Sequence, residues 1–217
     1  MTEVFHALSA TFPAGEAFFQ DSVRQYEQQL RNDHPALWLD VVAFFKQEAL
    51  HSAQHEKWNR MIEGEFGHPM ADLERAVDVV MDLQKRYLDP LSQLACTVCF
   101  EHLTATFGHI LLRSKDACLR RMRPPQRKLW TWHALEEIEH KAVAFDVYVA
   151  VGGGYTRRIL AMLWVTIIFA CTFGSIRIYL HWSVLHPSNP PPHTHPRSLV
   201  PFVFYELYVA VYSTMKY

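Results

Sequence analysis

The stretch WHALEEIEHKAVAFDVY, residues 132–148, crowds three glutamates and two histidines into eight residues and then turns apolar. Read as a helix, it puts Glu137 and His140, spaced i and i+3, on one face and about 4.5 Å apart along the axis. One carboxylate and one imidazole can then reach the same metal from a rigid backbone. Glu136 and Glu139 point away from Glu137 by roughly 100° or 200°. They read as helix-surface acids or as groups that orient the ligands.

The same spacing recurs at Glu48/His51, Glu3/His6 and Glu65/His68. Position separates these pairs. Glu3/His6 precedes the first expected helix, and Glu65/His68 straddles Gly67 ahead of Pro69, where a helix should stop. Glu48 and His51 lie inside a long amphipathic pattern over 36–66, on a stripe with Leu37, Val41, Phe44, Phe45, Ser52 and His55.

The remaining helices follow from caps and breakers. Pro13 suits a first helical turn, so a helix is expected from there to about Arg31, ending at Asn-Asp-His-Pro. A third unit is expected from an N-cap at Asp72 to Arg113, broken or kinked at Pro90. Its later stripe carries Leu94, Val98, Glu101, Ala105, Gly108 and Leu112. The quoted helix should end at Gly152-Gly153-Gly154. No stretch alternates with period two for long enough to make a sheet. The expected fold is all-α, a four-helix bundle with an additional C-terminal apolar helix.

Glu16 on the first helix and Glu101 on the third complete a pattern. One helix after another supplies Glu, Glu-x-x-His, Glu, Glu-x-x-His, the inward-projecting ligand order of ferritin-like dimetal bundles. Four carboxylates turned into one core would cost several kcal/mol each without counter-charge, and two metal ions supply it. The competing reading leaves the acids in solvent and buries only the histidines; it must explain an acid in mid-stripe on all four helices. His55, seven residues after Glu48, and His133, four before Glu137, return to the ligand faces as further ligands or as residues that orient carboxylates. As ligands, His55 or His133 would permit a third ion. His102 and His109 are weaker candidates.

Composition narrows the class. The 217 residues suit one well-buried domain. A net charge of −1 and 50% hydrophobic residues argue against disorder and against bulk attraction to nucleic acid. The basic run between 113 and 128 reads as a solvated loop, with no nucleic-acid motif beside it. Cys96, Cys99, Cys118 and Cys171 form no disulfide framework and read as inert helix residues. The N-terminus carries an acid and no long apolar run, unlike a signal peptide.

Residues 159–176 hold no charge and approach the length of a membrane span. Arg157 and Arg158 abut them, which favours a cytoplasmic bundle anchored at the inner face of the membrane. A buried fifth helix is the other reading. The domain boundaries expected are 1–155 for the metal-binding bundle, 156–186 for the apolar helix, and 187–217 for a Pro-rich linker with a short apolar end.

Five segments, FPAGEAFF (12–19), QEALHSAQHEKWN (47–59), FEHLTA (100–105), WHALEEIEHKAVAFDVY (132–148) and RRILAMLWVT (157–166), make the chain resemble the bacterial family of predicted metal-dependent hydrolases with a ferritin-like helical core. The resemblance covers roughly residues 10–170. It implies metal ligands at Glu16, Glu48, His51, Glu101, Glu137 and His140, with His55 and His133 as extras. After about Leu185 the chain departs from the C-terminal part that the resemblance implies.

A carboxylate and imidazole set suits iron first, with manganese or zinc as alternatives. Three chemistries follow. The first is an O2-activating di-iron oxygenase or oxidase that takes a small hydrophobic substrate and an electron donor. The second is a metal-dependent hydrolase using a metal-bound hydroxide, as the family label states. The third is metal binding without catalysis. Phe44, Phe45, Trp58, Phe100 and Phe107 are expected to be core or to line the substrate space.

Overall fold

Pro13 lies inside a helix, not at its first turn. In the computed structural model, which describes residues 2–113 and 119–185 apart from the side chains of Thr2, His140 and Val184, helix α1 spans Thr2–Arg24. Proline cannot donate to the carbonyl four residues back, here that of Ser9. Asn59 takes over: its Nδ2 donates to the Ser9 carbonyl at 3.0 Å, and its Oδ1 accepts from Ser9 Oγ at 2.5 Å. A side chain 50 residues away makes good the lost bond, which is why local sequence signals start the helix too late.

The same helix also stops before Arg31. The Tyr26 N–H takes the carbonyl of Val23 at 3.0 Å, a tighter turn that ends α1, and a short α2 follows over Glu27–Asp33. Helix α3 spans Pro35–Phe66 and closes on Gly67, whose φ of 69° gives the left-handed cap that glycine tolerates. Helix α4 spans Met70–Tyr87. Asp72 therefore sits in its first turn, paired with Arg75, and is not the N-cap. Helix α5 spans Pro90–Arg113, with Asp89 Oδ1 accepting from the backbone N–H groups of Leu91 and Ser92 at 3.1 and 3.2 Å. A 3-10 turn at Leu119–Arg121 precedes α6, Pro124–Ala150, and α7 spans Tyr155–Leu185. The protein is all-α, with no strand among the described residues.

These helices divide between two units. One takes residues 1–15, 55–84 and 166–217. Among its described residues Phe5, Leu73, Val77, Ile176 and Leu180 are buried, and His6 packs 5.2 Å from the Phe66 ring and 5.7 Å from that of His68. The other takes residues 16–54 and 85–165, with Phe18, Phe44, Leu94, Trp130 and Tyr148 in its core.

In that second unit Ser22 Oγ lies 2.7 Å from Thr97 Oγ1, joining α1 to α5. Helices α5 and α6 approach at Gly108, where an added Cβ would sit 2.9 Å from the Ala134 carbonyl oxygen. Cys96 and Cys99 are buried in α5, and burial pushes their thiols up to about 12 and about 11. They are inert at neutral pH. Cys118, the Pro-rich stretch and the last apolar segment lie outside the described residues.

Helices α5 and α7 are both long and apolar enough to cross a membrane. They differ in burial: 61% of the apolar window of α5 is covered by protein, against 33% for α7. Helix α5 is a core helix by that measure, and α7 presents more apolar surface.

The α5–α6 contact gives a direct test. Gly108→Ala should destabilise the fold by about 1–3 kcal/mol through overpacking against the Ala134 backbone. Gly64→Ala, with nothing within 4 Å of its added methyl, should be neutral or stabilising by up to about 1 kcal/mol. Thermal denaturation of the two variants checks the pair, and equal effects would contradict the close approach.

Candidate metal centre

Four helices of the second unit each bury at least one carboxylate: α1 supplies Glu16, α3 Glu48, α5 Glu101 and α6 Glu137. The first three have no exposed surface and Glu137 only 2%. Ordinary solvation is denied to all four.

Imidazoles lie among them. Ligand atoms of Glu16, His51, His133 and Glu137 all fall within 4.8 Å of one another. His133 Nε2 is 2.7 Å from Glu137 Oε1 and 3.6 Å from Glu16 Oε1. His51 Nδ1 is 3.7 Å from both Glu48 Oε1 and Glu137 Oε1. The two imidazole rings stack with centroids 4.2 Å apart. This buried cluster could hold metal ions.

Three of these four side chains are held from behind. Ser52 Oγ donates to Glu16 Oε2 at 2.8 Å, and Thr104 Oγ1 donates to Glu137 Oε2 at 2.5 Å. His51 Nε2 lies 2.9 Å from Glu136 Oε2, while Glu136 Oε1 accepts from the Trp132 indole at 2.8 Å. With its Nε2 proton on Glu136, His51 has a lone pair at Nδ1 facing Glu48 and Glu137. A carboxylate behind the ring fixes tautomer and orientation in metal sites generally. Glu136 thus holds the His51 ring in place.

The donor set fits a cation on physical grounds. Glu16 Oε1 is buried with no hydrogen-bond partner among the described residues, an arrangement that normally costs a carboxylate dearly. Burial first, and then the charge of Glu137, push the Glu16 carboxyl well above its ordinary range. For Glu48 burial again dominates, followed by the charges of Glu101, Glu137, Glu16 and Glu136. Glu101, which has no histidine at i+3, acts electrostatically on both Glu16 and Glu48.

The other candidates are not among the four residues of that group. His55 belongs to the first unit, 2.8 Å from Ser9 Oγ and stacked on Phe12 at 4.6 Å. The His140 side chain lies outside the described residues. His6 and His68 are buried in the first unit, whereas Glu65, His102 and His109 are exposed. Of the aromatics, Phe44, Trp58 and Phe100 are buried and Phe45 and Phe107 half-buried. The role of His133 in the cluster was legible only as a return to the ligand face.

The family model described as predicted metal-dependent hydrolase matches residues 1–200. The chain belongs to that family. No curated protein and no solved structure matches it.

The raised carboxyls set the pH behaviour of the metal-free protein. A folded-state pKa above the unfolded value of about 4.5 means that the native state binds more protons. That stabilisation is complete below about pH 4.5 and is lost as pH rises through the folded values. Metal-free protein should therefore lose thermal stability as pH rises above about 5, and protein saturated with a divalent metal should lose far less, because the ion replaces the protons. Melting curves with and without chelator check this. Parallel curves in the two forms would contradict it.

Proposed function

We propose that this member of the family of predicted metal-dependent hydrolases carries out metal-assisted hydrolysis of a small hydrophobic substrate at the Glu16, His51, His133, Glu137 cluster, in a ferritin-like arrangement of α1, α3, α5 and α6. The observation that carries the reading is the convergence of four buried ligand atoms within 4.8 Å, in a chain matched by that family over residues 1–200. Glu48, Glu101 and His140 complete the proposed set, which would hold two metal ions. Iron, manganese and zinc all accept carboxylate and imidazole donors.

When bound, the ions supply Lewis acidity, polarising a carbonyl or phosphoryl oxygen and acidifying water. The chain's own residues do the rest. Ser52 and Thr104 fix the outer oxygens of Glu16 and Glu137, leaving the inner oxygens as donors. Glu136 keeps the proton of His51 on Nε2. His133 Nε2 sits 2.7 Å from Glu137 Oε1, so the two side chains hold one another in place. The buried surroundings exclude bulk water from the donor atoms. Placement at the inner face of a membrane belongs to the same proposal, supported by the exposed apolar surface of α7 and by Arg157 and Arg158 at its start.

An O2-activating oxygenase or oxidase is the second reading, favoured by one observation: four buried carboxylates make an acid-rich donor set suited to iron or manganese. Oxygen separates the two. Protein loaded with zinc or manganese should cleave a 4-nitrophenyl acyl ester under anaerobic conditions, and Glu137→Gln should lower the rate by roughly 10- to 100-fold through lost metal affinity. Turnover that requires iron and consumes O2 would replace hydrolysis with the second reading. Metal uptake with no turnover of any organic substrate would leave only a binding protein.

A further inference from the structure

We infer that an open groove between α5, α6 and α7 of the second unit binds the carboxylate end of a single-chain aliphatic anion. The groove has a volume of about 440 Å³, within the range of about 300–1,000 Å³ typical of small-molecule sites. Its floor is apolar, built from Val98, Phe145, Ile159 and Met162. Its charged side chains are both cations, Lys141 and Arg158; Cys99 and His102 also line it, and no acid does.

Arg158 is set for an anion. Its guanidinium lies 4.9 Å from the centre of the Phe145 ring and 5.5 Å from that of Tyr155. Stacking on rings holds the guanidinium plane and leaves its N–H edge for a carboxylate, which that edge grips in two places. Lys141 adds a mobile point charge from α6. An uncharged apolar molecule would leave these cations unused, and a cationic one would be repelled. Apolar surface runs on along α7 through the exposed Leu160 and Leu163, a track for one aliphatic chain.

The groove shares helices with the metal cluster. Val98 and His102 flank Glu101 on α5, and Lys141 comes one helical turn after Glu137 on α6. The assignment deepens the hydrolytic reading, since a fatty carboxylate is a product of acyl-ester hydrolysis. Binding of the anion itself needs no metal, so the two claims can fail separately.

The test is equilibrium binding to the full-length protein, metal-free and metal-loaded, with laurate, 1-dodecanol and dodecyltrimethylammonium as probes. Laurate should bind in both forms, and the alcohol and the cation should bind at least about tenfold more weakly. Lys141→Glu should weaken laurate by about tenfold or more through charge reversal. Ala142→Trp, at an exposed lining position, should block the groove without changing charge. Both sites are exposed, and circular dichroism confirms folding of each variant. Laurate and dodecanol binding equally well, or laurate binding unmoved by both substitutions, would overturn the assignment. Laurate binding that persists in protein unable to take up metal would support the groove while removing the hydrolytic reading.

Discussion

Repulsion among buried carboxylates governs the second unit. Glu16, Glu48, Glu101 and Glu137 all point where water cannot screen them, and the charges of Glu101 and Glu137 act on both Glu16 and Glu48. Without a cation the core must hold protons there, which is what the raised Glu16 and Glu48 carboxyls express. With a cation the same arrangement becomes a ligand set. Desolvation that would penalise a bare acid then strengthens its attraction to the ion. Hydrogen bonds set the side chains within that tension: Ser52 ties Glu16, Thr104 ties Glu137, and the Glu136–Trp132 pair ties His51.

Backbone features carry the geometry. The glycine at position 108 lets α5 and α6 approach until a methyl would meet the Ala134 carbonyl. Glu101 lies two turns before that contact and Glu137 about one turn after Ala134, so close helix packing and converging carboxylates have one cause. Gly67 and Asp89 terminate and restart the chain at the ends of α3 and α5.

Much of this was legible in the residues, for physical reasons that can be named. Helix α3 emerged at nearly its full length because Pro35, a long apolar stripe and Gly67 mark it locally. The inward aim of Glu101 followed from its neighbours Leu94, Val98, Ala105 and Gly108, without any histidine partner. The start of α1 did not, because the bond that Pro13 cannot make is supplied by Asn59, and nothing near Pro13 announces that. Asp72 misled for the opposite reason: a good cap residue was drawn into a pair with Arg75 one turn inside α4. His55 shares the Glu48 stripe in sequence, and the structure adds Ser9 and Phe12 among its contacts, which no spacing announces. Helical periodicity reports a face and not what lies against it.

The most direct measurement is the metal-to-protein ratio of the wild type beside two variants, Glu101→Ala and Glu65→Ala, with circular dichroism to confirm folding. The account predicts about two ions per wild-type chain, in the manner of carboxylate dimetal bundles. It predicts a sharp loss in Glu101→Ala, which lies in the buried carboxylate core, and a wild-type ratio in Glu65→Ala, which is exposed at the end of α3. A wild-type protein that takes up no iron, manganese or zinc would contradict it, as would full metal retention in Glu101→Ala.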